Sequence, residues 1–529
     1  MNKIKNITAE KIASIGVFAL LAIYPIILTD KYFNITVTRY LFFTIAAAFF
    51  FAVCLIIKIQ TLNKPKKISP PKITDFSSAD IFFSLFVIVS LFSAFSSSYG
   101  AAAISGGAGR RMGLLMILST FFAYLFISKF YHIREYEFIF FGIVSAFMGI
   151  FGLLQFIGLD PLNLLEGLSK LDKVRFISFM GNINIYSSFI CIALPLAMYM
   201  FCFSEKKENS IFWLFVTSAT FIGFMTTISD SGYLGIGAAL VVLSLLTAKE
   251  KKTFQRFFAI IITFLITGGI FDLIWTLYGD PDHPSSVPND IITDPRLIFA
   301  GTLISALAII AINRFDISEK AFSIIRRFII FTVVAVIVTF VVLIIWFTFV
   351  DTTAELGKFS NYFRFSFKWG NGRGYAWTKL LEIFAELPLH KKLIGTGPDT
   401  IAYEMVSRHN EEMHELFGFY YDNAHNELIQ YLVTLGFWGM LTYVCLVGSA
   451  VKSSLRADNT ISRAMILPIV AYFAQSFVNI TQPMTTPLFF VFLAFTQCKA
   501  NKNGTSVNLD ISTWPIPRMN QKLEGNNEK

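Results

Sequence analysis

Long apolar segments follow one another along most of the chain, and short polar gaps separate them. About fourteen of these segments approach the ~20 residues that a helix needs to cross the hydrocarbon core of a bilayer. They lie near residues 12–29, 40–58, 80–96, 113–128, 137–157, 184–203, 211–228, 233–248, 257–277, 297–312, 328–350, 426–449, 464–481 and 486–498. The runs near 113, 233, 297 and 486 are short, and one or two of them are candidates for re-entrant or merged segments. The pattern therefore predicts an all-α, polytopic membrane helix bundle of about 14 (12–14) transmembrane helices.

The composition excludes the main soluble classes of protein. Of the 529 residues, 55% are hydrophobic and only 15% are charged, whereas about 25% of the residues of an ordinary soluble domain are charged. A soluble chain of this length would form several domains, and these residues cannot provide the polar surfaces that such domains need. An outer-membrane β-barrel is excluded as well, because its strands are ~10-residue segments of alternating character rather than continuous apolar runs.

The basic residues indicate orientation in a membrane rather than nucleic-acid binding. The net charge is +9, but Lys and Arg lie mostly in the short gaps between apolar runs, where they orient membrane helices. With a cytoplasmic N-terminus, the inner tail and loops hold 23 Lys and Arg residues, and the short outer loops hold eight. We therefore expect a multi-pass protein of the cytoplasmic (inner or plasma) membrane, in contact with membrane lipids, with both termini cytoplasmic. The first apolar run ends at residues 25–30 without a small-residue cleavage pattern, so no cleavable signal peptide is expected.

One polar stretch, residues 351–425, is much longer than the other gaps, and the same count places it on the outer face. Loops of this length are usually functional or disordered, and this one is rich in aromatic residues and is not of low complexity. Residues 375–387 repeat apolar side chains at helical spacing, which predicts an amphipathic helix that lies on the membrane or covers the bundle. The predicted organisation is an N-terminal bundle of about 11 spans (1–350), the large extracytoplasmic loop (351–425), about three C-terminal spans (426–498) and a cytoplasmic disordered tail (499–529).

Candidate chemistry concentrates in this loop, which holds four of the six His residues. His425 stands where the loop enters the next span, and an ionisable group near membrane depth is costly and usually functional. Its imidazole can accept a proton from a hydroxyl nucleophile, and Asn426 is placed to orient either partner; the alternative is a helix-capping interfacial His. His409 and His414 lack metal-ligand spacing. The five Cys residues lie inside predicted spans without a CxxC pair, so we expect structural thiols and no metal site.

Cations on the outer face are suited to an anionic substrate. Arg373 offers a planar fork of donors that matches phosphate oxygens, and the alternative is a solvated loop residue. Further candidates for substrate binding are Arg110, Arg111, Arg175, Arg364 and Lys368. For the arginines at the membrane boundary, contact with lipid headgroups is the alternative. The pair Gly395 and Gly397 lets the backbone approach a ligand or another helix closely, with a simple tight turn as the default interpretation.

The late part of the chain also carries an ordered series of motifs. An Arg is followed by a Trp, a Pro-to-GxG segment, an Ala-His-Asn motif and the Gly-containing start of the next span. These residues are Arg373, Trp377, Pro388, Gly395-Thr396-Gly397, Asp422 to Gln430 and Gly436 to Gly439. Weaker matches lie at Gly109-Arg110 with Gly113, and at Arg175 with Gly181 to Asn184. In this order the chain resembles the O-antigen ligase and polymerase family of membrane glycosyltransferases. One departure occurs at residues 227–232, where family members often show Ser-Arg-Gly and this chain has Asp230 in place of the cation.

The resemblance implies that a glycan is transferred or polymerised from an undecaprenyl-pyrophosphate-linked (polyprenyl) donor onto an acceptor hydroxyl at the outer face. Arg373 would then stabilise the pyrophosphate leaving group, with Arg110, Arg111 and Arg175 as further candidates. His425 would accept or position the proton of the attacking hydroxyl, which gives inversion at the anomeric carbon. The resemblance implies neither a metal ion nor a cofactor. Expected partners are the lipid-linked donor and a glycan, lipid or wall-polymer acceptor, a chain-length regulator is a further candidate, and nucleic acid is not expected.

Two other classes stay open on the sequence alone. One is a lipid-linked oligosaccharide flippase or another multi-span transporter, and the other is a sensor or structural membrane protein. Transporters favour short outer loops and ionisable groups near the bilayer midplane. Here the spans hold almost no charge at their midplanes, and the loop rich in His and Arg lies outside, which favours chemistry at the membrane surface. Ligase and polymerase are not separated by these residues.

Overall fold

The computed structural model describes residues 8–61, 76–107, 109–280, 283 and 286–498. The predicted tail, residues 499–529, lies outside the described residues, as do Lys3, Lys5 and the four lysines between positions 64 and 72 that enter the charge count. The described part of the chain is almost entirely helical. Its one sheet is a short antiparallel hairpin of β1 (Phe176–Ile177) and β2 (Gly181–Asn182), in which Phe176 pairs with Asn182.

The helices before the large loop are α1 (Ala9–Phe18), α2 (Ile35–Thr61), α3 (Ser78–Phe95), α4 (Ala101–Ser105), α5 (Leu114–Phe130), α6 (Glu135–Phe156), α7 (Lys170–Lys173), α8 (Ile183–Phe203), α9 (Lys207–Met225), α10 (Asp230–Thr247), α11 (Lys251–Tyr278), α12 (Val287–Thr293), α13 (Pro295–Arg314) and α14 (Glu319–Ile345). The helices from the loop onward are α15 (Ser360–Phe363), α16 (Trp369–Glu386), α17 (Leu389–Ile394), α18 (Ile401–Phe417), α19 (Glu427–Thr434), α20 (Gly436–Leu455), α21 (Thr460–Ala464), α22 (Ile466–Gln475) and α23 (Thr486–Phe495). Short π-helical turns extend α1 (Ala19–Ile23) and α14 (Trp346–Val350).

A helix overlaps each apolar segment of the sequence. Within the described residues, eight helices are long and apolar enough to cross a membrane, namely α2, α3, α6, α8, α10, α11, α13 and α14. Two shorter apolar helices, α5 and α23, accompany them. The chain is therefore an all-α membrane protein, while the count of about fourteen crossings stays a prediction.

The centre of the bundle is α8. Its most apolar stretch is completely buried, and it packs against α9, α10 and α22. By contrast, α14 buries none of its most apolar stretch inside the protein. Lipid tails are as apolar as Val, Ile or Phe side chains, so this surface needs no protein partner in a bilayer.

Residues 351–425 have a hydrophobic core of their own. Its buried members are Tyr375, Ala376, Leu380, Ile383, Ile401, Met405, Met413, Tyr421, Ala424 and Val433. The apolar face predicted over residues 375–387 is thus found on α16, which packs against α18 and α19. Because Val433 belongs to α19, this second core joins the loop to the apolar segment that follows it.

The segment predicted as one span over residues 426–449 consists of two helices, α19 and α20. The helix is interrupted at Gly436, which has φ = 70°, a conformation that glycine adopts without strain. The Gly395–Gly397 segment docks on this break, where the amide of Gly397 donates to the carbonyl of Thr434 at 3.0 Å. A Cβ on Gly395 would lie 2.1 Å from the same carbonyl oxygen. Of the alternatives open for the glycine pair, the structure shows close approach to another helix.

Candidate active site

His425 lies in the loop between α18 and α19, and its main chain is held on both sides. The residue has φ = 49°, which is uncommon for a residue other than glycine. Its amide donates to Oδ1 of Asn423 at 2.9 Å. Asn426 caps α19, since its Oδ1 accepts the amides of Leu428 and Ile429, each at 3.0 Å. Asn426 therefore fixes the backbone beside His425 through the start of the helix.

The preceding residue, Ala424, is anchored by two helices. Its carbonyl accepts the indole N–H of Trp377 at 2.9 Å, and its amide donates to Oε1 of Gln430 at 3.1 Å. Trp377 stands on α16 and Gln430 on α19. The Trp and the Ala-His-Asn motif, 47 residues apart along the chain, therefore meet in space and set the position of the imidazole.

Arg373 begins the regular part of α16, directly after a left-handed turn at residues 370–372. Its Nη1 donates to the carbonyl of Gly370 at 3.2 Å. Its Nε is buried and has no hydrogen-bond partner among the described residues, and the same holds for the hydroxyl of Tyr421. Buried polar atoms are nearly always paired in proteins, so an unpartnered guanidinium N–H at this position is suited to an acceptor atom of a ligand.

Two arginines act electrostatically on His425. Burial, followed by the positive charges of Arg373 and Arg110, lowers the pKa of His425 from 6.5 to about 3. The imidazole is therefore neutral at pH 7, and one of its nitrogens has a free lone pair. Burial also lowers the pKa of Arg373, while the negative charge of Asp230 and the neighbouring Tyr421 oppose that change. Arg373 and Arg110 are thus near enough to His425 to disfavour its protonated form.

Arg110 is held by a carboxylate of the large loop. Its Nε and Nη2 donate to the two carboxylate oxygens of Asp422 at 2.7 and 2.5 Å. Asp422 precedes His425 by three residues, so this pair joins the turn before α5 to the loop between α18 and α19. The adjacent Arg111 lies over the ring of Tyr40 instead, with 5.9 Å between its guanidinium carbon and the ring centroid, which is a cation–π geometry.

A second carboxylate, which the sequence analysis missed, holds the turn that carries both arginines. Asp399 is only 5% exposed, and its Oδ2 accepts the amides of Gly107 at 2.9 Å and Met112 at 3.0 Å. Burial raises the pKa of Asp399 to about 7. Because the two amides flank Arg110 and Arg111, this carboxyl group determines how the turn presents them. Its only sequence signal is the position directly after the GxG-Pro segment.

Asp230, at which the sequence departs from the pattern of the resembling family, joins three segments of the protein. It is the first residue of α10, and its carboxylate accepts the hydroxyls of Ser286 and Tyr362, both at 2.6 Å. Tyr362 belongs to the large loop, and Ser286 immediately precedes α12. The negative charge of Asp230 also acts on Arg373. This position therefore fastens the loop to α10 and lies close to the site.

The remaining candidates have other surroundings. Arg364 donates to the carbonyl oxygens of residues 347, 351 and 354 at 3.1, 3.3 and 2.8 Å, which closes the end of the π-helical turn. Lys368 is exposed. Arg175 is also exposed and lines a cleft of about 390 Å³ together with Asn371, two residues before Arg373. No group of three His, Cys, Asp or Glu residues that could hold a metal ion occurs in the described ranges.

The fold and the site define a helical membrane protein in which residues 351–425 carry a neutral imidazole that lies within the electrostatic influence of two arginines. Such a site can bind an anionic group and accept a proton next to it. Residues 291–444 match the family model described as O-antigen ligase. This match includes Arg373 and His425 and confirms, for that part of the chain, the O-antigen ligase family expected from the motifs. No curated protein and no solved structure matches the chain significantly.

Proposed function

We propose that the protein is a membrane glycosyltransferase that moves a glycan from an undecaprenyl-pyrophosphate-linked donor to a hydroxyl group of an acceptor. The observation that carries this proposal is the Arg110–Asp422 pair, which ties Arg110 to the segment of His425, together with the electrostatic effect of Arg373 and Arg110 on that histidine. The family match over residues 291–444 supports a transferase of the ligase or polymerase type. The acceptor is a glycan, a lipid or a wall polymer, and a chain-length regulator is a further candidate partner.

In this proposal, Arg373 binds the pyrophosphate. A guanidinium is matched to phosphate oxygens, and the buried Nε of Arg373 lacks a protein acceptor among the described residues. Negative charge develops on the leaving oxygen as the glycosidic bond to phosphate breaks, and fixed donors in a poorly solvated site stabilise that charge. Arg110 contributes a second positive charge, although its carboxylate partner Asp422 already occupies two of its donors.

His425 accepts the proton of the attacking hydroxyl. The acceptor oxygen forms a bond to the anomeric carbon, the bond from that carbon to the phosphate oxygen breaks, and the proton goes to the neutral imidazole. Direct displacement of this kind inverts the anomeric configuration. It requires neither a nucleotide sugar nor a metal ion, because pyrophosphate is already a good leaving group.

The two arginines also make the base dependent on the donor. In the empty site their charges keep His425 a weak base, because a nearby positive charge disfavours the protonated imidazole. A bound pyrophosphate brings negative charge to the same arginines and thereby raises the proton affinity of the histidine. Proton transfer to His425 is then efficient once the donor is bound. While the site is empty, the low proton affinity of the imidazole keeps it unprotonated.

We place the reaction at the outer face of the cytoplasmic membrane, with residues 351–425 as the extracytoplasmic loop that carries the site. The 23-to-8 distribution of basic residues supports this orientation. A cysteine-labelling scan with a membrane-impermeant reagent tests it, using single cysteines introduced at exposed positions such as Lys368 and Leu389. Labelling in intact cells is expected, and labelling only after the membrane is opened would contradict the proposed side.

The activity is tested with the purified full-length protein in lipid vesicles. The substrate is the lipid-linked glycan that accumulates in a strain from which the gene has been deleted, and membranes of that strain supply the acceptor. Elongated or transferred glycan is the expected product. Exchange of the lipid between leaflets without any new glycosidic bond would indicate a transporter and would contradict the proposal. The deletion strain also separates the two subtypes, because single repeats on the carrier indicate a lost polymerase and long unattached chains indicate a lost ligase.

A further inference from the structure

A cleft with a mixed polar and apolar lining includes Asn371, two residues before Arg373, and is not used by the mechanism above. It has a volume of about 390 Å³ and lies between the α7–β2 region, the start of α8 and the turn before Arg373. Cavities of a few hundred Å³ are typical of sites for small ligands. Three of its lining residues are Asn182, Asn184 and Asn371, and Arg175 stands at its edge.

The turn that brings Asn371 to this cleft has an unusual backbone. Gly370, Asn371 and Gly372 have successive φ values of 59°, 61° and 90°. Asparagine tolerates the left-handed region better than most residues, but the conformation still costs free energy compared with glycine. Two glycines surround the asparagine, and the turn leaves its side chain exposed on the cleft. Strain of this kind is frequent where a side chain contacts a ligand.

The floor of the cleft continues into a polar network inside the bundle. Ser229 donates to Oδ1 of Asn184 at 2.7 Å, and the side chain of Asn479 donates to the carbonyl of Asn184 at 3.0 Å. Ser188 accepts from Asn479 and from Gln475, both at 3.0 Å. These side chains come from α8, from α22 and the segment after it, and from the residue that precedes α10. Polar groups at membrane depth are expensive and usually mark a substrate path, and here they fix the position of Asn184 beneath the cleft.

The lining has the chemistry of a carbohydrate site. Amide side chains both donate and accept hydrogen bonds, as sugar hydroxyls do. The carbon atoms of Leu171 and Val174 provide apolar surface for the C–H face of a sugar ring. The exposed guanidinium of Arg175 adds a donor for a hydroxyl or an acidic substituent.

We propose that this cleft binds the sugar of the lipid-linked donor that is attached to the pyrophosphate, with Asn371 as a specificity-determining residue. The proposal rests on the proposed function, because it assigns the pyrophosphate to Arg373. The first sugar of such a donor is covalently joined to the pyrophosphate, and Asn371 is two residues from Arg373 along the strained turn. A sugar held by Asn371 and Asn184 therefore lies beside the diphosphate site.

The test compares two probes on the purified full-length protein in vesicles. One probe is undecaprenyl pyrophosphate without a sugar, and the other is the lipid-linked glycan from the deletion strain. Asn371→Gly removes the amide and keeps the left-handed turn. The control is Asn163→Gly, because Asn163 is an exposed asparagine with φ = 51° in the 157–169 segment. Affinities are measured by binding titration with each probe.

Asn371→Gly is expected to weaken binding of the lipid-linked glycan about five- to tenfold, which corresponds to the loss of one or two hydrogen bonds. Binding of the sugar-free lipid is expected to stay unchanged, which also shows that the variant is folded. Equal affinity of Asn371→Gly and the parent protein for the glycan probe would overturn the inference. Arg373→Ala separates this failure from a failure of the proposed function, because unchanged binding of the sugar-free lipid to that variant would overturn the role of Arg373 in pyrophosphate binding.

Discussion

The guanidinium of Arg110 and the carboxylate of Asp422 form a two-point salt bridge, with donor–acceptor distances of 2.7 and 2.5 Å, across 312 residues of chain. It joins the turn before α5 to the loop that carries His425. Both side chains are partly buried, at 18% and 31% exposure, so the pair is less screened by water than a surface ion pair. The position of the histidine therefore depends on a contact between the turn before α5 and the loop between α18 and α19.

Replacement of Asp422 by Asn is expected to destabilise the protein by about 1.5–3 kcal/mol, because hydrogen bonds between charged groups are lost. It also releases Arg110 and shifts the loop at His425, so glycan transfer falls as well. Thermal unfolding in detergent and the transfer assay measure the two effects. The control is Glu166→Gln, which breaks the exposed ion pair with Lys31 and is expected to leave the stability nearly unchanged. Equal effects of the two substitutions would contradict a special role for the Arg110–Asp422 pair.

Asp399 predicts a specific dependence of stability on pH. Burial raises its pKa in the folded protein to about 7, from an ordinary value of 3.8. Between these values the folded state holds a proton that the unfolded state has released, so the contribution of this group to stability falls as the pH rises from 4 to 7. In Asp399→Asn the side-chain carbonyl still accepts the amides of Gly107 and Met112, and this component disappears. Melting temperatures of the parent and the variant, measured from pH 4 to 8, are expected to differ in favour of the variant at the upper end. A constant difference across the range would contradict the assignment.

The hydrogen bonds of Asp230 with Ser286 and Tyr362 predict the effect of placing an arginine at position 230, the residue type that the sequence resemblance suggests there. Asp230→Arg removes the acceptors of Ser286 and Tyr362 and places a second cation beside Arg373. We therefore expect lower stability and lower transfer activity. Tyr362→Phe removes one of the two hydrogen bonds alone and is expected to cost about 1 kcal/mol. Full activity of Asp230→Arg would show that the hydrogen bonds of Asp230 with Ser286 and Tyr362 are dispensable and that the position belongs to the donor site.

The close contact of Gly395 with the interruption between α19 and α20 is tested by replacing it with alanine. The same replacement at Gly418, where a Cβ would have open space around it, is the control. A Cβ at Gly395, where φ is 84°, would lie 2.1 Å from the carbonyl oxygen of Thr434. At Gly418, where φ is 70°, a Cβ would meet no atom within 4 Å. Gly418→Ala therefore carries only the backbone strain, about 1 kcal/mol, and Gly395→Ala adds overpacking of about 1–3 kcal/mol. Similar unfolding temperatures for the two variants would contradict the proposed docking.

Much of the fold follows from the amino-acid sequence, because a bilayer imposes a simple rule on apolar length. The apolar segments coincide with helices, and the helical spacing over residues 375–387 predicts the buried face of α16. The break at Gly436 is not visible in this pattern, because α19 and α20 are both apolar and only the backbone contact with Gly395–Gly397 separates them. The crossing number depends on such breaks, so hydropathy alone does not determine it.

The site could be predicted only in part. His425 and Arg373 belong to local motifs, and the sequence therefore singles them out together. Two of the contacts are long-range: the pairing of Arg110 with Asp422, and the hydrogen bonds that Asp399 accepts from the turn before α5. Nothing in the spacing of these residues along the sequence predicts them. Arg364 shows the converse, because a loop arginine offers the same donors to main-chain carbonyls as to a ligand, and only the fold decides between the two.

The role of His425 as the acceptor of the hydroxyl proton is tested by the rate at which His425→Asn transfers the glycan. Asparagine is chosen because it tolerates the positive φ at this position. The substitution therefore removes the imidazole base without changing the conformation of the loop. The control is His414→Ala, an exposed histidine of the same loop. His425→Asn is expected to bind the lipid-linked donor as the parent protein does and to transfer its glycan at least about 10²-fold more slowly, while His414→Ala is expected to transfer at the parent rate. Transfer by His425→Asn at the full rate would contradict the role of His425 as the proton acceptor.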